Sequence, residues 1–148
     1  MNESTNTTAR ARLEALVGKW SIEAGPPDGP KWPGEGWVTF EWMEDAPLLI
    51  ERSHADLPEA PDVVAVIGCD GMNGTYHQIY TDDRDVQRIY AMSLEDGVWR
   101  LWRDGEPFAQ RFTGTFSEDG RTISGRFELA EDGETWRTDF DITYTRIG

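Results

Sequence analysis

"TISGRFELAEDGETWRTDFDITYTR", residues 122–146, holds two alternating runs on either side of an Asp-Gly step at 132–133. In the first run Ile123, Gly125, Phe127 and Leu129 share one parity, against Thr122, Ser124, Arg126 and Glu128. In the second, Trp136, Thr138, Phe140, Ile142, Tyr144 and Arg146 share one, against Arg137, Asp139 and Asp141. Alternation puts successive side chains on opposite faces, so each run reads as a strand with one apolar, aromatic face. Asp-Gly supplies the positive φ that a tight hairpin turn demands. The stretch therefore reads as a β-hairpin with an aromatic inner side.

The same grammar extends upstream. Asp-Gly recurs at 28–29, 70–71, 96–97, 104–105 and 119–120, and Asn-Gly at 73–74. These steps mostly separate runs rich in β-branched and aromatic residues. Ten strands are expected, at 20–24, 36–42, 48–53, 63–68, 76–80, 86–94, 98–103, 110–116, 122–129 and 136–146. Short turns joining consecutive strands suit an all-β, antiparallel up-and-down meander, and closing it into a barrel removes the exposed edges. One short helix is expected over 8–17, capped by Thr7 or Thr8, with Leu13, Leu16 and Val17 on one face and Gly18 ending it. Residues 1–6 are expected to be flexible, and the 148 residues to form a single domain.

Composition bounds the function. A net charge of −14 without a Lys/Arg-rich run argues against nucleic acid and anionic membrane surfaces as partners. Seven Trp, six Phe and four Tyr argue against disorder and suit either a lined cavity or a thin core. The first seventeen residues lack the apolar centre of a signal peptide, so a cytoplasmic location is expected. With one cysteine, Cys69, and two histidines, His54 and His77, in no ligand spacing, neither a metal nor a cofactor is expected. Asp82, Asp83 and Asp85 around Arg84 read as a solvated acidic turn. No phosphate-binding glycine loop and no nucleophile elbow occur.

The alternating strands offer a binding site instead. Phe40 and Trp42 share a face with Val38, and Phe127, Trp136 and Phe140 belong to the aromatic side of the hairpin. In "LLIERSH" Leu48, Ile50, Arg52 and His54 share one parity, and in "VQRIYAM" Val86, Arg88, Tyr90 and Met92 share another. If both sets point inward, Arg52, Arg88 and Tyr90 enter the barrel with His54 near its mouth. Ile89 and Ala91 offer a competing inward face for the second. A guanidinium inside an aromatic barrel needs an anion or acceptors, and a ligand carboxylate would meet it bidentately. Two loops break the pattern. "GPPDGPKWPGEG", 25–36, carries Trp32 at its tip, and "HADLPEAPD" starts at His54. Each reads as a portal or as a surface connection.

The "GKW" start at Gly18, the strand-only body and Arg146 in the last strand resemble the calycin superfamily, which includes lipocalins and fatty-acid-binding proteins. "FEWME", "YAMSLEDGVWRLWRDGEPFAQRFTGTFSEDGRTISG" and "TDFDITYTRIG" are similar to a family of small uncharacterised bacterial proteins of this barrel type. The resemblance implies that Trp20 packs across one barrel end beneath Arg146, a structural latch. It also implies that Arg and Tyr hold a ligand carboxylate, as in fatty-acid-binding barrels. "GKWSIEAG" lacks the G-x-W-x-G-x-G segment of the haem-binding nitrobindins, so haem is not expected. The function expected is binding of a small hydrophobic or amphipathic molecule, with Phe40, Trp42, Arg52, His54, His77, Arg88, Tyr90, Phe127, Trp136 and Phe140 as candidate contacts. One alternative is an isomerase or cyclase using Tyr90, His54 or His77 as general acid–base; another is a ligand-free protein-interaction module.

Overall fold

The structure, a computed structural model, describes residues 9–57, 60–105 and 107–148. The expectations for residues 1–6 and for a Thr7 or Thr8 cap lie outside these. Ten strands follow one another: β1 (Gly18–Gly25), β2 (Gly36–Trp42), β3 (Leu49–Ala55), β4 (Val63–Asp70), β5 (Thr75–Asp82), β6 (Val86–Glu95), β7 (Val98–Arg103), β8 (Ala109–Phe116), β9 (Thr122–Ala130) and β10 (Arg137–Arg146). Each pairs antiparallel with its neighbour in sequence, and β1 also pairs with β10. The result is a closed up-and-down barrel without a free edge. Its tight turns use the chemistry the Asp-Gly steps announce. Between β6 and β7, Asp96 and Gly97 have φ of 55° and 73°, a left-handed pair whose twist matches that of the flanking strands.

The helical segment is shorter than expected. Residues 9–12 are α-helical and tighten into a 3-10 turn over Leu13–Ala15, while Gly18 opens β1 rather than closing the helix. Leu13 and Leu16 are fully buried against Trp20 and Val38, so this segment plugs one end of the barrel. The turns β2–β3, β4–β5, β6–β7 and β8–β9 lie at the plugged end, because β1 leaves it and the strands alternate. At the opposite end lie the β1–β2 and β3–β4 loops, together with the β5–β6, β7–β8 and β9–β10 connections.

Trp20, Trp99, Phe40 and Phe112 fill the plugged half. Phe112 fits because the register partners Gly114 and Gly125 leave room: a Cβ on Gly125 would stand 2.6 Å from Phe112 Cε1. Among the described residues, no helix is long and apolar enough to cross a membrane.

The β9–β10 hairpin is not regular throughout, and Trp136 does not face inward as expected. β10 starts at Arg137, and its register against β9 shifts between Thr138 and Phe140, a β-bulge. A bulge inserts an extra residue and reverses the parity beyond it. Trp136 therefore does not continue the inward face of Phe140 and Ile142. Its ring lies 4.0 Å from the Arg111 guanidinium, which bonds Glu128 at 3.0 Å on the outer wall.

Candidate functional site

On β6 the inward parity is that of Arg88, Tyr90, Met92 and Leu94, while Ile89 faces solvent. Gln110 of β8 points into the same space, as does Arg103 of β7, its register partner. The Tyr90 hydroxyl donates to Gln110 Oε1 at 2.7 Å, and Arg88 Nη1 and Arg103 Nε each donate to that oxygen at 3.2 Å. Three donors thus meet one neutral oxygen that has two lone pairs. The ring of Phe108 underlies both cations, 5.3 Å from Arg88 Cζ and 5.6 Å from Arg103 Cζ. Two of these donors are guanidinium groups, whose forked N–H bonds can meet the oxygens of an anion.

A second polar group shares the inner wall. Glu51, Ala65, Tyr80 and Arg88 are successive register partners across β3 to β6. Three strand spacings of ~4.8 Å place Glu51 roughly 14 Å from Arg88 along the wall. Gln78, itself buried, donates from Nε2 to Glu51 Oε1 at 2.8 Å. Burial among the barrel walls outweighs that hydrogen bond and pushes the Glu51 carboxyl up to about 7. Beside it, Tyr80 donates to Asp82 Oδ2 at 2.8 Å, and Arg84 Nη2 holds the same oxygen at 2.6 Å. The Arg84 hydrogen bond, ahead of Tyr80's, keeps Asp82 well below the usual carboxylate range.

An aromatic column leads from the loop end into the core. Trp32, brought back by its N–H donating to Ala24 O at 2.8 Å, lies 5.3 Å from Phe140 between ring centroids. Phe140 stacks on Phe127 at 4.8 Å, Phe127 meets Phe112 at 4.7 Å, and Phe112 meets Trp99 at 4.9 Å. Trp32 and the partly buried Phe127 and Phe140 are its accessible end.

The remaining candidates lie elsewhere. On β3 it is Leu49, Glu51 and Ser53 that face inward, since Leu49 is fully buried and lies beside its register partners Trp42 and Ile67 on the neighbouring strands. Arg52 is consequently outside, 3.2 Å from Glu41 Oε1. His54 sits on the outer rim, its ring nitrogens 2.6 Å from Asp62 and 2.9 Å from Asp56, and those carboxylates raise its pKa, Asp62 foremost. His77 is exposed on the outer face of β5. Neither imidazole reaches the interior. Phe40 is buried 6.0 Å from Trp99, and Trp42 donates from Nε1 to Glu14 at 2.7 Å at the plugged end. Trp20 and Arg146 are register partners, with the guanidinium 4.2 Å over the indole. Arg146 also donates to Val17 O at 2.6 Å and Ala15 O at 2.7 Å, tying β10 to the helical segment.

Sequence reasoning missed Glu51, Gln78, Arg103, Phe108 and Gln110. The only signal for Arg103 and Gln110 is that they flank the short connection that contains Asp104-Gly105. Two surface hollows, of about 420 and 370 Å³, flank the helical segment beside Glu14 and Ala15, away from Arg88. Among the described residues no group of three or more His, Cys, Asp or Glu side chains is placed to hold a metal ion.

Neither a protein-family model nor a curated protein matches the chain. Among solved structures, the crystal structure of Rv2717c from M. tuberculosis superposes with a TM-score of 0.68 at 15% sequence identity. That match covers 95% of this chain and 98% of the other, and it shows a shared fold. A protein of unknown function from the DUF3598 family of Nostoc punctiforme PCC 73102 matches over 94% of this chain and 99% of its own. Its 7% identity and TM-score of 0.28 carry no argument.

Proposed function

We propose that the barrel binds a small amphipathic molecule with a carboxylate or similar anionic group, in the manner of the calycin-type barrels its sequence resembles. The anion sits against Arg88, Tyr90 and Arg103, and the apolar part lies along Phe127, Phe140 and Trp32. One observation carries this reading: Arg88, Tyr90 and Arg103 crowd their donors onto a single neutral amide oxygen at the loop end of the barrel. A ligand oxygen pair would relieve that crowding, and a charge-assisted pair contributes about 1.5–3 kcal/mol. Lysine at position 88 would restore the charge without the two parallel bonds.

Tryptophan fluorescence titration with decanoate and with methyl decanoate tests this, since Trp32 lies beside Phe140. Wild type is expected to prefer the acid by about tenfold or more, and Arg88→Met to lose that preference while keeping ester binding. Equal binding of acid and ester by wild type sinks the proposal.

A further inference from the structure

Half-solvated antiparallel strands ordinarily show water a polar face. One part of the outer wall does not. Ile50, Val66, Ile79 and Ile89 are successive register partners across β3 to β6, and all point away from the core. Val64 flanks this row on β4, and Trp102 extends the patch on β7 as the partner of Ala91. Ile89 is 65% exposed, Ile79 45%, Val64 44% and Trp102 41%. Five strands at ~4.8 Å make the patch about 19 Å wide.

Charge sets the same wall apart. The chain has 28 Asp and Glu against 14 Lys and Arg, for a net charge of −14. Yet among the described residues, three successive outward rows across β3 to β6, one of them reaching β7 at Trp102, contain no carboxylate. They run from Arg52 and Val64 through Ile79 and Ile89 to His77 and Trp102. Acids return at the margins, with Asp70 and Glu95 at the plugged end, Asp56, Asp62, Asp83, Asp85 and Asp104 at the other, and Glu41 on β2. The opposite wall is a lattice of ion pairs, Arg111–Glu128 and Arg126–Asp141, so the apolar surface is no girdle around the barrel.

We infer that this wall is where two copies of the chain pair, face to face about a two-fold axis. Two molecules that each carry −14 repel one another across most of their surface. The acid-free wall is where they approach without setting carboxylate against carboxylate. A two-fold contact places like on like, which suits a row of aliphatic side chains and would not suit a face of one charge sign. An apolar centre with a charged margin is also the usual anatomy of a stable interface. A basic partner would need acids on this face, and an acidic one would find Arg52 already held by Glu41. This inference is independent of the ligand reading.

Sedimentation equilibrium from low micromolar to submillimolar protein tests it, at low and high salt. The expected result is a dimer that tightens as salt rises, because screening weakens repulsion between the margins and spares apolar burial. Ile89→Glu should raise the dissociation constant by about tenfold or more at an unchanged far-UV spectrum. Should that variant fail to fold, Ile89→Thr, which keeps the β-branch, is expected to weaken the dimer less but measurably. A single-chain mass at every concentration overturns the inference, as does a dimer indifferent to substitution at Ile89. A monomer that co-sediments with phosphatidylcholine vesicles overturns it too, by assigning the wall to a lipid surface.

Discussion

Glu51 projects into the barrel with one donor, Gln78, and its carboxyl titrates near 7 instead of near 4.5. The native state therefore holds a proton that the unfolded chain releases above about 4.5. Stability falls as pH rises from about 4.5 to about 7 and levels off above that. Glu51→Gln keeps the oxygen that accepts from Gln78 and cannot ionise. It is expected to match wild type at pH 5 and to exceed it at pH 8, by up to about 3 kcal/mol, in urea titrations at the two pH values. Equal stability of the two proteins at pH 8 would place Glu51 in contact with water. This residue also marks where alternation runs out as evidence. On β3 each parity carries one ion, Glu51 or Arg52, so polarity does not choose between them; the partners Trp42 and Ile67 of Leu49 do, and they lie on other strands. On β6 the inward face of Arg88 and Tyr90 continues through the buried Met92 and Leu94, a longer run than its rival.

At the scale of elements, the β9–β10 hairpin was legible from its alternation and its Asp-Gly step, and its bulge was not. Nothing in "WRTDFD" departs from a regular strand, because the shift at Asp139 arises from pairing. Trp136 rests on Arg111 outside the barrel, so Trp136→Ala is expected to cost at most about 1 kcal/mol and to leave decanoate binding intact. Thermal melts and the fluorescence titration check both halves of that statement. Gly125 behaves in the opposite way. Gly125→Ala adds a single methyl group against Phe112 and is expected to destabilise by about 1–3 kcal/mol in urea unfolding. An unchanged midpoint would mean that the Phe112 ring moves freely. The glycine was readable as part of an inward face, but the ring it accommodates comes from β8.

The whole molecule is a closed sheet whose ends differ. One is plugged by Leu13, Leu16 and Trp20, with Arg146 bonding the helical segment and covering the indole. The Gly-Lys-Trp start and the terminal Arg made this pairing foreseeable, though not the carbonyls of Ala15 and Val17 that Arg146 reaches. Trp20→Ala removes a fully buried ring and leaves those contacts without their platform, so a loss of about 3–5 kcal/mol is expected in thermal or urea unfolding. At the other end, Arg88 and its neighbours are proposed to receive an anion inside the barrel. An NMR titration of the arginine Nε–H resonances with decanoate addresses it directly. The expected result is saturable movement of the Arg88 and Arg103 signals, with Arg52 and Arg126 on the outer wall unmoved. Movement confined to the outer arginines, or an Arg88 signal that stays in place at saturation, would contradict it.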